Sequence, residues 1–240
     1  MTAEAIPRSA NTADGRLALS DGEVHFLWWF IQDSIMNAET RDRLRRAWGM
    51  CARHASALLA VETADRHGWM HACTILYLDL IERGLNALMV RGLFGDERVL
   101  RTLHATGPCL MCELAVGRAG GGAASADLLA RGRDERQLEA FARETEPHWS
   151  ALVCRRCTPQ ANGPLCRPHL IAGHPFDLAD ELRSQRAHLG YVARHLIAYA
   201  RSFRWEERDT DTPEDRAALI EAVGWCSGWS GVLAIIGDEP

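Results

Sequence analysis

The chain contains no lysine. All 27 basic residues among its 240 are arginine. That excludes any Schiff-base lysine, and with it ordinary pyridoxal-phosphate chemistry, a P-loop and a protein kinase. There is no G-x-S-x-G elbow, no G-x-G-x-x-G turn and no H-E-x-x-H helix, and no carboxylate pair stands in a glycosidase-like context. Basic excess is missing too: the net charge is −5, so nothing draws the chain onto nucleic acid or anionic lipid. No run is long and apolar enough to span a membrane. The most apolar stretch, 72–90, is interrupted by Asp79, Glu82, Arg83 and Asn86. The N-terminal twenty residues lack the basic and apolar regions of a secretory signal. The expected compartment is the cytoplasm, where eight cysteines are not read as disulfides.

What is present is an ordinary globular composition, 47% hydrophobic and 25% charged, patterned for helices. Residues 1–19 read as a flexible arm. Ser20 and Glu23 have capping-box spacing ahead of an apolar helix, VHFLWWFIQDSIMN. Asn37 caps a charged helix through Trp48, ended by Gly49. A third helix runs from Met50 towards His67. A long, buried one covers WMHACTILYLDLIERGLNALMV, and a short one lies at 96–104. Gly107-Pro108 marks a boundary and the glycine-rich 117–126 a loop. The charged run 127–146 reads as a solvated helical face. A second long helix spans 176–206, with Leu182, Leu189, Val192, Leu196, Tyr199 and Phe203 on one stripe. Thr212-Pro213-Glu214-Asp215 starts a final helix to about Ser227. No alternating strand pattern occurs. The expected fold is all-α, a helical bundle of two related halves (20–106 and 107–240) packed as one domain. A weak internal repeat, Gly49–His54 against Pro164–His169, supports two halves.

Six of the eight cysteines and two histidines fall in motifs with a two-residue gap: Cys51/His54, Cys109/Cys112, Cys154/Cys157 and Cys166/His169. Ligands at i and i+3 on a first helical turn point the same way, so each motif supplies two corners of a tetrahedron. A helix N-terminus also favours the thiolate that binds metal. The set suffices for one or two zinc ions. Two groupings fit the spacing. One joins Cys154, Cys157, Cys166 and His169, and separately Cys51, His54, Cys109 and Cys112. The other joins Cys109, Cys112, Cys166 and His169, leaving Cys154 and Cys157 as a pair. The first uses every ligand. An iron–sulfur cluster would more often be all-cysteine, and a redox dithiol lacks its usual βαβ setting. Covalent haem is disfavoured because Glu113 and Thr158 follow the CxxC motifs. Cys73 and Cys226 stand alone in apolar surroundings and are assigned to packing.

The stretches Gly49–His54, Thr74–Leu80, Cys109–Glu113, Gly163–Leu170 and the tail LIAYARSFRWEERDTDTPEDRAALIEAVGWCSG resemble a bacterial family of helical proteins, a domain of unknown function with paired CxxC and CxxH motifs. The resemblance implies a metal-binding helical fold and no particular activity. In that pattern a CxxC lies about one helix upstream of each CxxH. Here His25-Phe26-Leu27-Trp28 occupies the first such place, so Cys109 and Cys112, or His25, would have to fill the gap.

Other polar residues have blander readings. His67 and His71 are i,i+4 but separated by Gly68. His188, Tyr191 and His195 form a helix stripe suited to packing. Asp79, Glu82 and Arg83 call for a salt bridge or a polar pocket. Trp28, Trp29, Trp48 and Trp69 are expected in an N-terminal core, Trp225 and Trp229 in a C-terminal one. The functional expectation is a zinc protein whose metal is mainly structural and which binds a protein or small-molecule partner, with no nucleic acid and no membrane. The alternative is an enzyme or thiol/metal sensor using an open zinc site or a redox dithiol.

Overall fold

The computed structural model describes residues 17–65, 69–90, 95–114, 124–173 and 177–237. Among them every regular element is a helix, and one isolated bridge joins Cys154 to Gly163. The capping box at Ser20 opens α1 (Asp21–Gln32), with the Glu23 N–H donating to Ser20 Oγ and Glu23 Oε2 accepting the Ser20 N–H. A 3₁₀ turn at Ser34–Met36 ends the expected apolar helix early. Asn37 caps α2 (Ala38–Ala47). Its end is a Schellman-type turn: Gly49, at φ +93°, donates to the Leu44 carbonyl. Then follow α3 (Ala52–Asp65), α4 (His71–Leu88), α5 (Gly95–Leu103), α6 (Leu110–Glu113), α7 (Ala126–Gly132), α8 (Arg136–Trp149), α9 (Arg167–Ala172), α10 (Leu178–Ser202), α11 (Pro213–Ser227) and α12 (Ser230–Ile236).

The centre is α11. From Asp215 to Cys226 all residues but Arg216 are buried, so the helix is covered on every side. It packs on α10, α8 and α4, and also reaches α3 and α9. One contiguous core runs through both sequence halves. Trp48 and Trp225 meet edge-to-face inside it at 5.9 Å, and Trp149 stacks on Trp229 at 5.7 Å.

Several expectations need correction. Of the arm expected over residues 1–19, residues 1–16 lie outside the described residues, and Leu17 and Leu19 are buried, with their backbones bonded to Glu135 and Arg133. The run 127–146 is two helices. The second is amphipathic and buries Leu138, Phe141, Ala142 and Thr145, so it is not a solvated face. Trp29 and Trp69 are exposed rather than core. Asp79 is satisfied by the two-pronged guanidinium of Arg45, at 2.9 and 2.6 Å, near the surface. Most of the glycine-rich stretch, the last three residues of the chain, and His67 with Gly68 lie outside the described residues; His71 packs on Phe203 at 5.0 Å.

Candidate metal centres

Three of the four gap motifs sit at helix starts. Cys51 precedes α3 and its carbonyl accepts the Ala55 N–H at 2.8 Å, which places His54 in the first turn. Cys109 is the N-cap of α6, with Cys112 three residues on. Cys166 is the N-cap of α9. Pro168 follows inside the first turn, where its missing N–H costs nothing, and then His169. The fourth, Cys154/Cys157, is a turn closed by the Cys157 N–H on the Cys154 carbonyl at 2.8 Å. It is held by the bridge to Gly163, whose N–H donates to the Val153 carbonyl at 3.0 Å.

The fold brings these motifs together in two clusters, Cys51/His54/Cys109/Cys112 and Cys154/Cys157/Cys166/His169, each with its donor atoms within 4.8 Å of one another. This is the grouping that uses every ligand; Cys109 and Cys112 do not meet Cys166 and His169. Cys109 and Cys112, not His25, complete the set around Cys51 and His54. In the first cluster His54 Nδ1 lies 3.3, 3.5 and 3.4 Å from the sulfurs of Cys51, Cys109 and Cys112. In the second, His169 Nδ1 lies 3.4, 3.4 and 3.3 Å from those of Cys154, Cys157 and Cys166. The Cys51–Cys112 and Cys157–Cys166 sulfur pairs are 3.9 and 3.7 Å apart. A tetrahedral ion with bonds of about 2.3 Å to sulfur and about 2.0–2.1 Å to nitrogen has S–N edges near ~3.6 Å and S–S edges near ~3.8 Å. The six S–N separations and these two S–S separations lie within about 0.3 Å of those edges.

No family model, no curated protein and no solved structure matches the chain.

The electrostatics of the clusters point the same way as their spacing. Three sulfurs around one imidazole cannot all ionise unaided. Hydrogen bonding from Cys51 holds the Cys109 thiol low against its own burial, while Cys51 itself is pushed up. In the second cluster hydrogen bonds from Cys157 and Cys166 hold Cys154 low, and both of those thiols are raised. Each cluster thus favours one thiolate and keeps the other thiols protonated, an imbalance that a bound dication relieves.

The clusters differ in their surroundings. His54 Nε2 lies 3.1 Å from Glu23 Oε1, and Arg53 pairs with the same carboxylate. Burial opposes the imidazolium, but hydrogen bonds to Cys109 and Glu23 outweigh it and raise His54 to about 9. The sequence marks Glu23 only as a capping residue; no spacing rule links residues 31 apart. Arg167, between the ligands of the second cluster, is buried and donates to the carbonyls of Cys226 and Leu103, each at 3.0 Å. That ties α9 to α11 and α5. Exposure differs as well. Cys154 and Cys166 are buried, whereas Cys112 is exposed and Cys51 and Cys109 are half-buried.

Cys73 and Cys226 are fully buried and belong to neither cluster. His188 is lowered to about 4 by burial. His195 Nδ1 is 2.7 Å from Asp215 Oδ1 and its ring lies 4.3 Å from that of Tyr191, so this stripe lies on the α10–α11 seam.

Proposed function

We propose that the protein is a zinc-binding helical protein whose two Cys₃His sites are structural staples. The observation that carries the reading is the match between the donor spacings and the edges of a zinc tetrahedron, repeated at two sites built from different loops. A histidine in each set, and donors within 4.8 Å, suit a single ion better than an iron–sulfur cluster with its inorganic sulfides. Four protein donors per site leave no open position for substrate or water, which favours structural over catalytic zinc. The first site joins the start of α3 to α6. The second holds the loop before α9, where the bridge at Gly163 is the sole strand-like pairing among the described residues.

The protein then acts by binding. A cavity of about 600 Å³ opens between α8, the end of α10 and the start of α11, lined by Trp69, Phe141, Tyr199, Phe203 and Arg216. Trp69 is half in solvent at its mouth, and its size suits a small ligand or a partner's side chains. The reading agrees with the resemblance to a bacterial family of helical metal-binding proteins, and with a cytoplasmic location, where thiols stay reduced. No helix among the described residues is long and apolar enough to cross a membrane. X-ray absorption at the zinc edge tests the metal reading. It should show an average shell of three sulfurs and one nitrogen per zinc. An oxygen-rich shell would overturn it.

A further inference from the structure

The two clusters share a donor set but differ in the exposure of their sulfurs. In the second, no cysteine is exposed: Cys154 and Cys166 are buried and Cys157 is half-buried. In the first, Cys112 stands at the surface, one residue before the Glu113 carboxylate that pairs with Arg43 at 2.6 Å. Its sulfur is 3.9 Å from that of Cys51, a residue 61 positions away, at the start of a different helix. The third sulfur, Cys109, is half-buried where Cys112 is exposed.

We propose that Cys112, a thiolate once zinc holds it, is modified by oxidants and so opens the first metal site: peroxide-class oxidants convert zinc-held Cys112 and Cys51 to a disulfide well before they attack the second site. The proposal rests on the zinc reading above. The Cys112 sulfur attacks one oxygen of the peroxide; an S–O bond forms, the O–O bond breaks and hydroxide leaves. The Cys51 sulfur then attacks the sulfenyl sulfur; an S–S bond forms, the S–O bond breaks and a second hydroxide leaves. Two thiolates are oxidised by two electrons in total, and one peroxide is reduced to two hydroxides. The first site is left with Cys109 and His54, two donors where zinc needs four, so its ion is released. The contact between α6 and the start of α3 loses its staple. The second site, α11 and the single core keep the rest of the fold, so the product is a locally opened chain, restored by a thiol reductant and zinc.

The test uses the purified full chain loaded with zinc. Hydrogen peroxide is added and release is followed with a chromogenic zinc chelator, and disulfides are then mapped by peptide mass spectrometry. One equivalent per chain should leave at least tenfold faster than the other, with the Cys51–Cys112 disulfide as first product. Cys112→Ser should lose the fast phase while peroxide still reaches the second site at its slow rate. Simultaneous release of both equivalents, earlier oxidation of Cys154, Cys157 or Cys166, or a fast phase whose product is Cys109–Cys112 overturns the proposal. Rates and mapping on the unmodified chain decide it even if the serine variant fails to fold. A chain that binds no zinc overturns the zinc reading and this proposal together; a two-zinc chain that releases both ions at once overturns only the proposal.

Discussion

His54 faces two ways: its Nδ1 looks into three sulfurs and its Nε2 lies 3.1 Å from Glu23 Oε1. A metal-binding histidine whose second nitrogen donates to a carboxylate is fixed in tautomer and ring orientation. Glu23 also closes the capping box of α1 and pairs with Arg53, so one side chain couples a helix start to the first cluster. Glu23→Gln should weaken zinc binding at the first site about 10–100-fold and leave the second unchanged. Competition with a chelator of known affinity, resolved by site, measures this. Equal weakening at both sites would show that Glu23 acts on the fold as a whole.

Arg167 is a buried guanidinium whose hydrogen bonds go to main-chain carbonyls, and it lies 5.4 Å from the Trp48 ring. Arg167→Met should leave the carbonyls of Leu103 and Cys226 without this donor and cost about 2–4 kcal/mol. Urea denaturation in saturating zinc reads the loss. A change below about 0.5 kcal/mol, the range of ordinary surface substitutions, would show that the tie between α9 and α11 does not matter.

The helices were legible in the sequence because their signals are local. Ser20, Asn37 and Thr212 cap the helices that follow them, and the stripe from Leu182 to Tyr199 is buried as its spacing implies. The eight cluster residues were legible because each motif is a local i,i+3 pair. Their grouping was legible only as one of two arrangements, of which the one that uses every ligand is observed; choosing between them depends on how α3 and α6 pack. Chain order misleads here, since CxxH precedes CxxC in the first cluster and follows it in the second. Trp69 and Trp29 look like core residues by type, and only tertiary packing leaves them in solvent. Glu23, Arg167 and Glu221 were missed as well, because their roles come from long-range contact or burial rather than from neighbours in sequence.

Glu221 is fully buried on α11, and neither carboxylate oxygen has a hydrogen-bond partner among the described residues. Burial pushes its pKa up from 4.5 to about 8. The folded chain therefore holds this proton more tightly than the unfolded one. Its contribution is complete below pH 4.5, is lost as pH rises from 4.5 to 8, and stays lost above that. Glu221→Gln should remove this dependence. Its stability relative to the parent should rise by about 2–3 kcal/mol between pH 5.5 and 7.5, a span of about 1.4 kcal/mol per unit. Urea midpoints at those two values, in saturating zinc, give the difference; the same difference at both would place Glu221 in contact with solvent or a cation.

Gly224 lets the Trp229 indole lie flat against α11. A Cβ there would fall 2.5–2.7 Å from three indole carbons, and Trp229 is already stacked on Trp149. Gly224→Ala should cost about 1–3 kcal/mol by overpacking, despite the better helix propensity of alanine. A thermal melt with tryptophan fluorescence would show it. A stabilised variant would mean that the stack moves aside freely.

On the zinc reading, two metal ions staple this fold. Structural zinc contributes on the order of 10–16 kcal/mol of apparent binding free energy per site, against about 5–15 kcal/mol of net stability for a whole domain. The direct measurement is zinc per chain by inductively coupled plasma mass spectrometry, before and after equilibrium chelation, with helicity recorded alongside. Two zincs per chain are expected, with loss of helicity and a lower melting temperature once both are removed. A chain purified without metal, or one whose helicity and melting temperature are unchanged after both ions are stripped, would contradict it.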